Sequence, residues 1–255
     1  MKKIQLFLYV IFLIIYIPAF SQVGIGTATP DASAKLDVSS TTSGFLPPRM
    51  TYAQKTAISS PAAGLMVWCS NCGTSGEIQV YNGTTWTNMI GGTAATDLVI
   101  GGTYQGGKIA YILQSGDPGY IAGQTHGLIA AALDQSTATE WGCVGTLIPG
   151  ADGIALGTGN QNTIDIMAGC ATAGIAASLC GDLVLGGYSD WYLPSKDELN
   201  KLYINRVAVG GFSSGTYWSS SEFNYTNAWY QYFPDGSQGN FYKYFTYYVR
   251  AVRAF

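Results

Sequence analysis

Short alternations of apolar and polar residues, broken by turn-forming residues, run through positions 22–95. Examples are GLMVW and EIQVYNGTTWTNM, which Gly, Ser, Thr and Pro residues separate. Alternation with a period of two is typical of half-buried strands, and Asn82-Gly83 between two such runs is typical of a hairpin turn. The runs hold few aliphatic residues. We therefore expect these strands to be buried by neighbouring copies of the chain rather than around a core of their own.

The pattern changes after a Gly-rich stretch at 96–104, which we interpret as a linker. Ile109, Tyr111 and Leu113 alternate as the inward face of a strand would, and GLIAAAL predicts a second strand beyond a Gly/Pro loop. A second domain is therefore predicted over 105–255.

Two helices are predicted within this domain. An apolar stripe over 163–181 favours a helix that Asn162 caps and Gly181 ends. In DWYLPSKDELNKLY, Ser195 is followed three residues later by Glu198, which is the pattern of a capping box at the start of a helix.

Strands return in the last part of the chain. The runs TYWSSSE, NAWYQYF and YYVRAVRAF are separated by turns at Asn224 and at Pro234-Asp235-Gly236. The order of strands, helices and strands is typical of an α+β domain with an antiparallel sheet. The predicted fold class is thus α+β, preceded by a β-rich N-terminal segment.

The first residues have the pattern of a secretory signal peptide. MKK precedes an apolar run over 4–20, and Ala19 and Ser21 occupy the small-residue positions of a cleavage site. We predict a signal peptide over 1–21, a mature chain that begins near Gln22 without a membrane span, and a secreted or outer-cell-surface location. The alternative is an N-terminal membrane anchor, because the run is close in length to a short spanning helix.

Composition narrows the class of partner. The chain is 47% apolar and 11% charged, with a formal net charge of -3. Binding of phosphate needs clustered Lys and Arg, and the longest basic cluster is Lys2-Lys3. Nucleic acid is therefore not expected as a partner.

Five cysteines in an exported chain favour disulfides. For Cys69 and Cys72, in WCSNCG, a loop disulfide is favoured over a redox centre or half of a zinc site, because no second CxxC motif lies near it. In one continuous helix Cys170 and Cys180 would lie about 15 Å apart, too far for a bond. Cys143 is expected to pair with one of them, or with neither.

The N-terminal segments resemble parts of known fibres. VGIGTATPDASAKLDV, GFLPPRMTYAQKTAI and AGLMVW are similar to the repeated head and neck segments of phage tail fibres and bacterial surface fibres, over most of 22–90. In those proteins such segments lie at trimeric, β-rich stalks that display a C-terminal module. The resemblance implies a homo-oligomer, for which a trimer is the model.

The second domain resembles the Lcl C-terminal domain family over 105–255. GGKIAYIL, HGLIAA, GTGNQNT, GYSDWYLPSKDELNKLY, YWSSSE and YVRAVRAF occur in the order found in that family. The resemblance implies a C-type-lectin-like fold, related to formylglycine-generating enzymes and to proteins diversified by retroelements. In the diversified relatives the exposed positions before the closing strand vary and form a ligand-binding surface, and the residue types found here suit such variation.

Candidate catalytic residues have simpler structural roles. Glu198 is explained by capping, and Asp190 or Glu222 by pairing with Arg250 or Arg253 in the final strand. These roles leave no free pair of carboxylates for hydrolysis of a glycoside.

Other chemical signals are equally weak. The only histidine, His126, is expected at the start of a strand, Ser219-Ser220-Ser221 lacks a GxSxG elbow, and GTGNQNT lacks the Lys of a phosphate loop. No enzyme, cofactor or metal site is predicted.

The stretch AWYQYFPDGSQGNFYKYFTYY is rich in aromatic residues and holds only two charged ones, Asp235 and Lys243. Tyr and Trp offer rigid contact area with a hydrogen-bonding tip, so we interpret its outward-facing residues as a binding surface for a protein or a glycan. The predicted contact residues are Asn224, Tyr225, Tyr230, Tyr232, Asn240, Phe241, Tyr242 and Tyr244. The residues predicted to be structural are Trp191, Ser195, Glu198, Trp218, Trp229, Phe233, Arg250 and Arg253.

The predicted function is that of an exported ligand-binding protein that displays a C-type-lectin-like module. In the main alternative the tyrosines pack in a sheet or an oligomer interface, and the protein is a structural surface or fibre component without a dedicated ligand. An uncharacterised hydrolase is the third hypothesis.

Overall fold

The computed structural model describes residues 22–92 and 94–255, and the predicted signal peptide lies outside them. Contacts divide the chain into two compact units, residues 1–47 and 48–255. Within the described residues no helix is long and apolar enough to cross a membrane.

The first unit contains a short parallel pair of strands. β1 (Val23–Ile25) lies beside β2 (Leu36–Val38). Val23 and Ile25 are 55% exposed and Leu36 is 51% exposed. The described part of this unit therefore has no apolar core of its own, as the scarcity of aliphatic residues predicted.

The second unit begins with a small sheet. Its elements are β3 (Arg49–Met50), α1 (Tyr52–Thr56), β4 (Met66–Cys69), β5 (Glu77–Tyr81) and β6 (Trp86–Asn88), with the strands in sequence order. The predicted hairpin turn joins β5 to β6, because the Asn82 side chain accepts the N–H groups of Thr84 and Thr85, each at 2.9 Å, and Gly83 has a φ of +100°. The predicted disulfide between Cys69 and Cys72 closes the loop after β4.

Two further sheets follow, one of four strands and one of five. The second sheet consists of β7 (Thr103–Tyr104), β8 (Gly107–Ile112), β9 (Gly127–Ala130) and β15 (Val252–Ala254), in the antiparallel order β15-β9-β8-β7. The third sheet consists of β10 (Ser136–Glu140), β11 (Thr216–Glu222), β12 (Asn227–Tyr232), β13 (Gln238–Tyr242) and β14 (Thr246–Val249), in the order β10-β14-β11-β12-β13. The predicted linker at 96–104 thus contains a strand, β7, that pairs with β8. The third sheet is mixed rather than antiparallel, because β14 runs parallel to β11.

The helical region differs from the prediction. α2 (Gly159–Gly169) and α3 (Ala176–Gly181) replace the single predicted helix. The chain leaves the helix at Cys170, whose disulfide to Cys143 draws it aside, and Gly174 has a φ of +73° that favours glycine. The prediction was wrong because the apolar stripe continues through a disulfide and a glycine that end the helix.

The predicted cap of that helix is also wrong. Thr158 occupies the N-cap position, and Asn162 lies inside α2. The Asn162 side chain is buried and donates to Gly153 C=O at 2.6 Å and to the Ser220 hydroxyl at 3.2 Å. It therefore joins α2 to a neighbouring loop and to β11.

The predicted capping box is confirmed at the start of α4 (Lys196–Ile204). The Ser195 hydroxyl accepts the Glu198 N–H, and the Glu198 carboxylate accepts the Ser195 N–H at 2.7 Å. After α4 comes the short α5 (Arg206–Val209), so residues 105–255 contain four short helices where two were predicted.

Apolar residues cover both faces of the third sheet. One cluster, which includes residues of α2 and α3, buries Trp191 and Trp218 as predicted. The other packs beneath α4 and buries Phe233, also as predicted, against Tyr217 at 4.3 Å between ring centres. Every residue of β11 from Tyr217 to Glu222 is therefore buried, whichever face of the sheet its side chain takes.

The two arginines before and in β15 are held by aspartates. Arg253 donates to both carboxylate oxygens of Asp190, at 2.7 and 2.8 Å, as predicted, and this bonding holds the pKa of Asp190 below its usual value. Arg250 is buried and donates to Asp134 at 2.7 Å. Glu222, the other acid predicted to pair with one of these arginines, pairs with Lys243 instead.

We expect Ser195→Ala to lower the free energy of unfolding by about 1–2 kcal/mol, because a buried N-cap loses its acceptor. Urea unfolding measures the change as a lower midpoint with an unchanged slope. The matched control is Ser214→Ala, at an exposed serine, where the midpoint should hardly move. Equal effects of the two substitutions would contradict the role of the capping box.

Candidate ligand-binding surface

Three exposed segments lie at one end of the third sheet: residues 143–148, 223–226 and 241–245. The first two are joined by a hydrogen bond from Gly145 N–H to Tyr225 C=O at 2.7 Å. We call these three segments the aromatic surface. Its exposed apolar side chains are Val144, Leu147, Phe223, Tyr225, Phe241, Tyr242, Tyr244 and Phe245.

The turn between β13 and β14 carries four rings in mutual contact. Tyr242 and Tyr244 stack with ring centres 5.5 Å apart and planes at 20°, while Phe245 lies 4.5 Å from Phe241 and 5.0 Å from Tyr244. Each ring is between 36% and 50% exposed. The turn therefore presents a continuous aromatic face to solvent.

Lys243, in the middle of this turn, points the opposite way. Its N–H donates to Thr226 C=O at 2.9 Å, and its buried Nζ pairs with the Glu222 carboxylate and donates to Thr146 C=O at 2.9 Å. Nζ also lies 4.5 Å from the ring centre of Trp141. Burial lowers the pKa of Lys243, and Glu222 opposes this shift. One lysine thus contacts all three segments of the surface.

Glu222, at the end of β11, completes the framework below the surface. Its carboxylate accepts the Ile148 N–H at 3.1 and 3.0 Å, and its own N–H donates to Ala151 C=O at 2.7 Å. Glu222 pairs with Lys243 and not with an arginine. A buried carboxylate requires such partners. The Glu222 carboxylate therefore fixes the positions of both the loop 143–148 and the turn 241–245.

Five of the eight predicted contact residues lie within the aromatic surface, and four of them, Tyr225, Phe241, Tyr242 and Tyr244, are exposed. Two other tyrosines do not. Tyr232 is 40% exposed, but it lies at the far end of β12. Tyr230 is half-buried against Tyr247, with ring centres 5.7 Å apart, because its side of β12 faces a core cluster.

The two predicted asparagines have hydrogen bonds of their own. Asn224 shapes the turn, since its side-chain oxygen accepts the N–H groups of Thr226 and Asn227, each at 2.8 Å. Asn240 accepts a hydrogen bond from the Asn227 side chain at 2.9 Å across β12 and β13. Asn224 therefore supports the surface rather than extending from it.

Trp229 is half-buried, although it was predicted to be core together with Phe233. Its ring lies 5.3 Å from Phe223, edge to face, and Lys196 Nζ lies 4.7 Å from its centre. It therefore occupies the rim of the aromatic surface.

The sequence analysis did not predict four exposed residues of the aromatic surface, nor the buried pair of Lys243 and Glu222 beneath it. Phe223 and Phe245 adjoin predicted contact residues, so their apolar character beside a turn was an available signal. Val144 and Leu147 are brought in by folding from a distant loop, and nothing local marks them. The isolation of Lys243 among aromatic residues was the one signal for the buried pair.

Groups of the kinds used in catalysis have structural partners here. His126 and Glu198 line a cavity of about 210 Å³, whose other walls are mostly apolar. The His126 ring lies within hydrogen-bonding distance of Phe255 C=O and the Gln124 side chain, at 3.2 and 2.9 Å. Burial raises the pKa of Glu198, and the N–H groups that cap its carboxylate, among them that of Ser195, oppose the shift. None of the serines at 219–221 lines this cavity.

Two family models match the chain. Residues 24–100 match the phage tail like trimerisation region, and residues 131–253 match the Lcl C-terminal domain. Both resemblances inferred from the sequence are confirmed. The chain thus has a segment similar to the phage tail like trimerisation region, followed by a segment similar to the Lcl C-terminal domain, and the latter match contains all three segments of the aromatic surface.

Among solved structures, a fimbrial protein from Bacteroides ovatus ATCC 8483 is similar, with 15% sequence identity and a TM-score of 0.46. The similarity covers 70% of this chain and 57% of that chain, so this chain matches little more than half the length of the fimbrial protein. No curated protein matches the chain.

We expect Lys243→Met to lower the free energy of unfolding by about 3–5 kcal/mol, because it leaves the buried Glu222 charge without its cation. Adding Glu222→Gln should recover part of the loss in chemical unfolding. Lys108→Met is the control, since Lys108 donates to a threonine hydroxyl and its loss should cost less than about 1 kcal/mol. Equal losses in Lys243→Met and the control would contradict the proposed framework.

Proposed function

We propose that the protein is an exported recognition protein that displays a ligand-binding domain on a trimeric, fibre-like base. Support for the base comes from the trimerisation-region match over 24–100 and from the exposed apolar residues of β1 and β2. Association of copies would bury these residues, which the described part of the first unit leaves half exposed. In this proposal the C-terminal domain has a C-type-lectin-like fold and no catalytic activity.

The observation that carries the proposal is the exposure of the aromatic surface above a buried polar framework. A chain that needed only a core would bury rings such as Tyr242 and Tyr244, but here both lie open to solvent while Lys243 and Glu222 beneath them are buried. Exposed aromatic patches of this kind are typical of binding sites.

The charge of the surface limits its ligand. Among residues 143–148, 223–226 and 241–245, Lys243 is the only charged one, and its ammonium group is buried against Glu222. Polyanions such as nucleic acid require exposed cations. An uncharged glycan or an apolar patch on a protein suits this surface, because tyrosine rings offer both stacking area and hydroxyl groups.

The position of the aromatic turns also agrees with diversification by a retroelement. The segment 241–245 lies directly before β14, and both it and 223–226 precede the closing strand β15. In the diversified relatives that the sequence resembles, exposed positions before the closing strand vary. In this proposal the rings vary among copies of the gene, while Lys243 and Glu222 stay constant because they hold the backbone.

A structural component of a surface fibre is the second candidate. The same exposed rings would then contact another copy of the chain, and Tyr242 and Tyr244 would serve assembly rather than capture of a ligand. The fibre-type match over 24–100 is the observation that favours this reading.

The test uses the full chain, labelled with a fluorophore, on an array of neutral and sulfated glycans and on an array of purified extracellular proteins. We expect binding on one of the arrays, and we expect Tyr242→Ser combined with Tyr244→Ser to weaken it roughly tenfold or more without changing the melting temperature. The control is Tyr120→Ser, at an exposed tyrosine in a distant loop.

Absence of binding on both arrays, or equal weakening by the control, would contradict ligand recognition. A change in oligomeric state without any change in binding would favour the structural candidate instead.

A further inference from the structure

The small sheet β3–β6 holds a second buried lysine, with a different kind of partner. Lys55, in α1, is 2% exposed, and Gln79, in β5, is 0% exposed. Lys55 Nζ donates to the Gln79 side-chain oxygen at 2.5 Å. The amine therefore lies directly against a carboxamide.

The orientation of that carboxamide is fixed. Its nitrogen donates to Glu77 Oε2 and to Ala95 C=O, each at 2.8 Å, which leaves its oxygen to face Lys55. Glu77 is held in turn, because Oε2 also accepts the Ala95 N–H at 2.8 Å. An amine, a carboxamide and a carboxylate thus lie in a row, with the carboxylate on the amide nitrogen.

Desolvation favours the neutral form of Lys55, while the rings beside its amine and the charge of Glu77 favour the charged form. Its Nζ lies 4.6 Å from the ring centre of Tyr52 and 5.3 Å from that of Trp86, and within the described residues no carboxylate forms an ion pair with it. Burial lowers the pKa of Lys55, while the charge of Glu77 opposes the shift. A desolvated lysine is a stronger nucleophile than an exposed one, because more of it is unprotonated.

We propose that Lys55 and Gln79 form an intramolecular amide crosslink, with Glu77 as the acid–base group. Lys55 Nζ forms a bond to the side-chain carbonyl carbon of Gln79, and the bond from that carbon to the amide nitrogen breaks. The proton that Lys55 gives up passes by way of the Gln79 side-chain oxygen, to which Nζ is hydrogen-bonded, to Glu77. Glu77, which is hydrogen-bonded to the amide nitrogen, transfers it to that nitrogen, which leaves as ammonia. No oxidant, reductant or cofactor is consumed, because one amide replaces another.

The site has the features that this exchange requires. The folded chain already holds the Lys55 amine against the Gln79 carboxamide, so the reaction does not carry the entropic cost of bringing them together. The Glu77 carboxylate is positioned to assist the proton transfers. A cavity of about 240 Å³ lined by Tyr52, Lys55 and Trp86 opens beside the amine and gives ammonia a way out. Lys243 provides the contrast, since it faces the carboxylate of Glu222 in an ion pair.

Mass spectrometry of the purified full chain tests the proposal. After reduction of the Cys69–Cys72 disulfide, trypsin cuts an unlinked chain after Lys55 and yields the peptides 50–55 and 56–108. A linked Lys55 resists trypsin, so we expect the joined peptide 50–108, lighter by one ammonia than its sequence mass. Fragmentation should locate the link at Lys55 and Gln79.

Variants separate the roles of Lys55 and Glu77. Lys55→Arg keeps the charge but removes the nucleophile, and Glu77→Gln keeps the shape but removes the acid–base group. We expect no loss of ammonia in the first and a loss slowed at least tenfold in the second. Lys108→Arg is the control, at a lysine that donates to a threonine hydroxyl, and should form the link as the natural chain does.

Two outcomes would overturn the proposal. Complete cleavage after Lys55 in the folded natural chain, with both peptides at their sequence masses, would show that no link forms. A link that forms at the same rate in Glu77→Gln would remove Glu77 from the mechanism. Because the natural chain alone gives the first answer, misfolding of a variant does not affect it.

Discussion

A carboxylate and an ammonium group that face each other away from water hold one end of the third sheet together. Glu222 and Lys243 are distant in sequence from the loop 143–148, yet both bond to it. The Ile148 N–H donates to Glu222, and Lys243 donates to Thr146 C=O. Desolvation of two charges is unfavourable, and only close pairing with further hydrogen bonds offsets it. These requirements allow one arrangement of the three segments. The backbone that carries the exposed rings is therefore held by buried bonds, although none of these rings is buried.

Local patterns in the sequence predicted local structure well. The capping box at Ser195, the turn at Asn82-Gly83 and the loop disulfide of Cys69 each depend on groups a few residues apart. The helix predicted from an apolar stripe failed at Cys170, where a bond to Cys143 outweighs the local preference. Pairing of Lys243 with Glu222 could not be predicted either, because many acids in the chain were equally available to it.

Alternation along β12 predicted its faces but not their exposure. Tyr230 and Trp229 point to opposite sides, as a strand requires, yet both are half-buried. In an open antiparallel sheet one face meets water. Here core clusters cover both faces, so the turns at the sheet end are where rings such as Tyr225 and Tyr244 reach solvent. Exposure of an aromatic residue to solvent therefore depends on its distance from the covered middle of the sheet, and not on which face of the strand its side chain takes.

The disulfide between Cys143 and Cys170 has a mechanical consequence. It joins residues with a sequence separation of 27, which corresponds to ~90 Å of extended chain. When the protein is pulled along its length, tension crosses this bond and bypasses the intervening loop. That loop carries Val144 and Leu147, so this part of the aromatic surface is shielded from the force and the chain cannot lengthen there while the bond is intact.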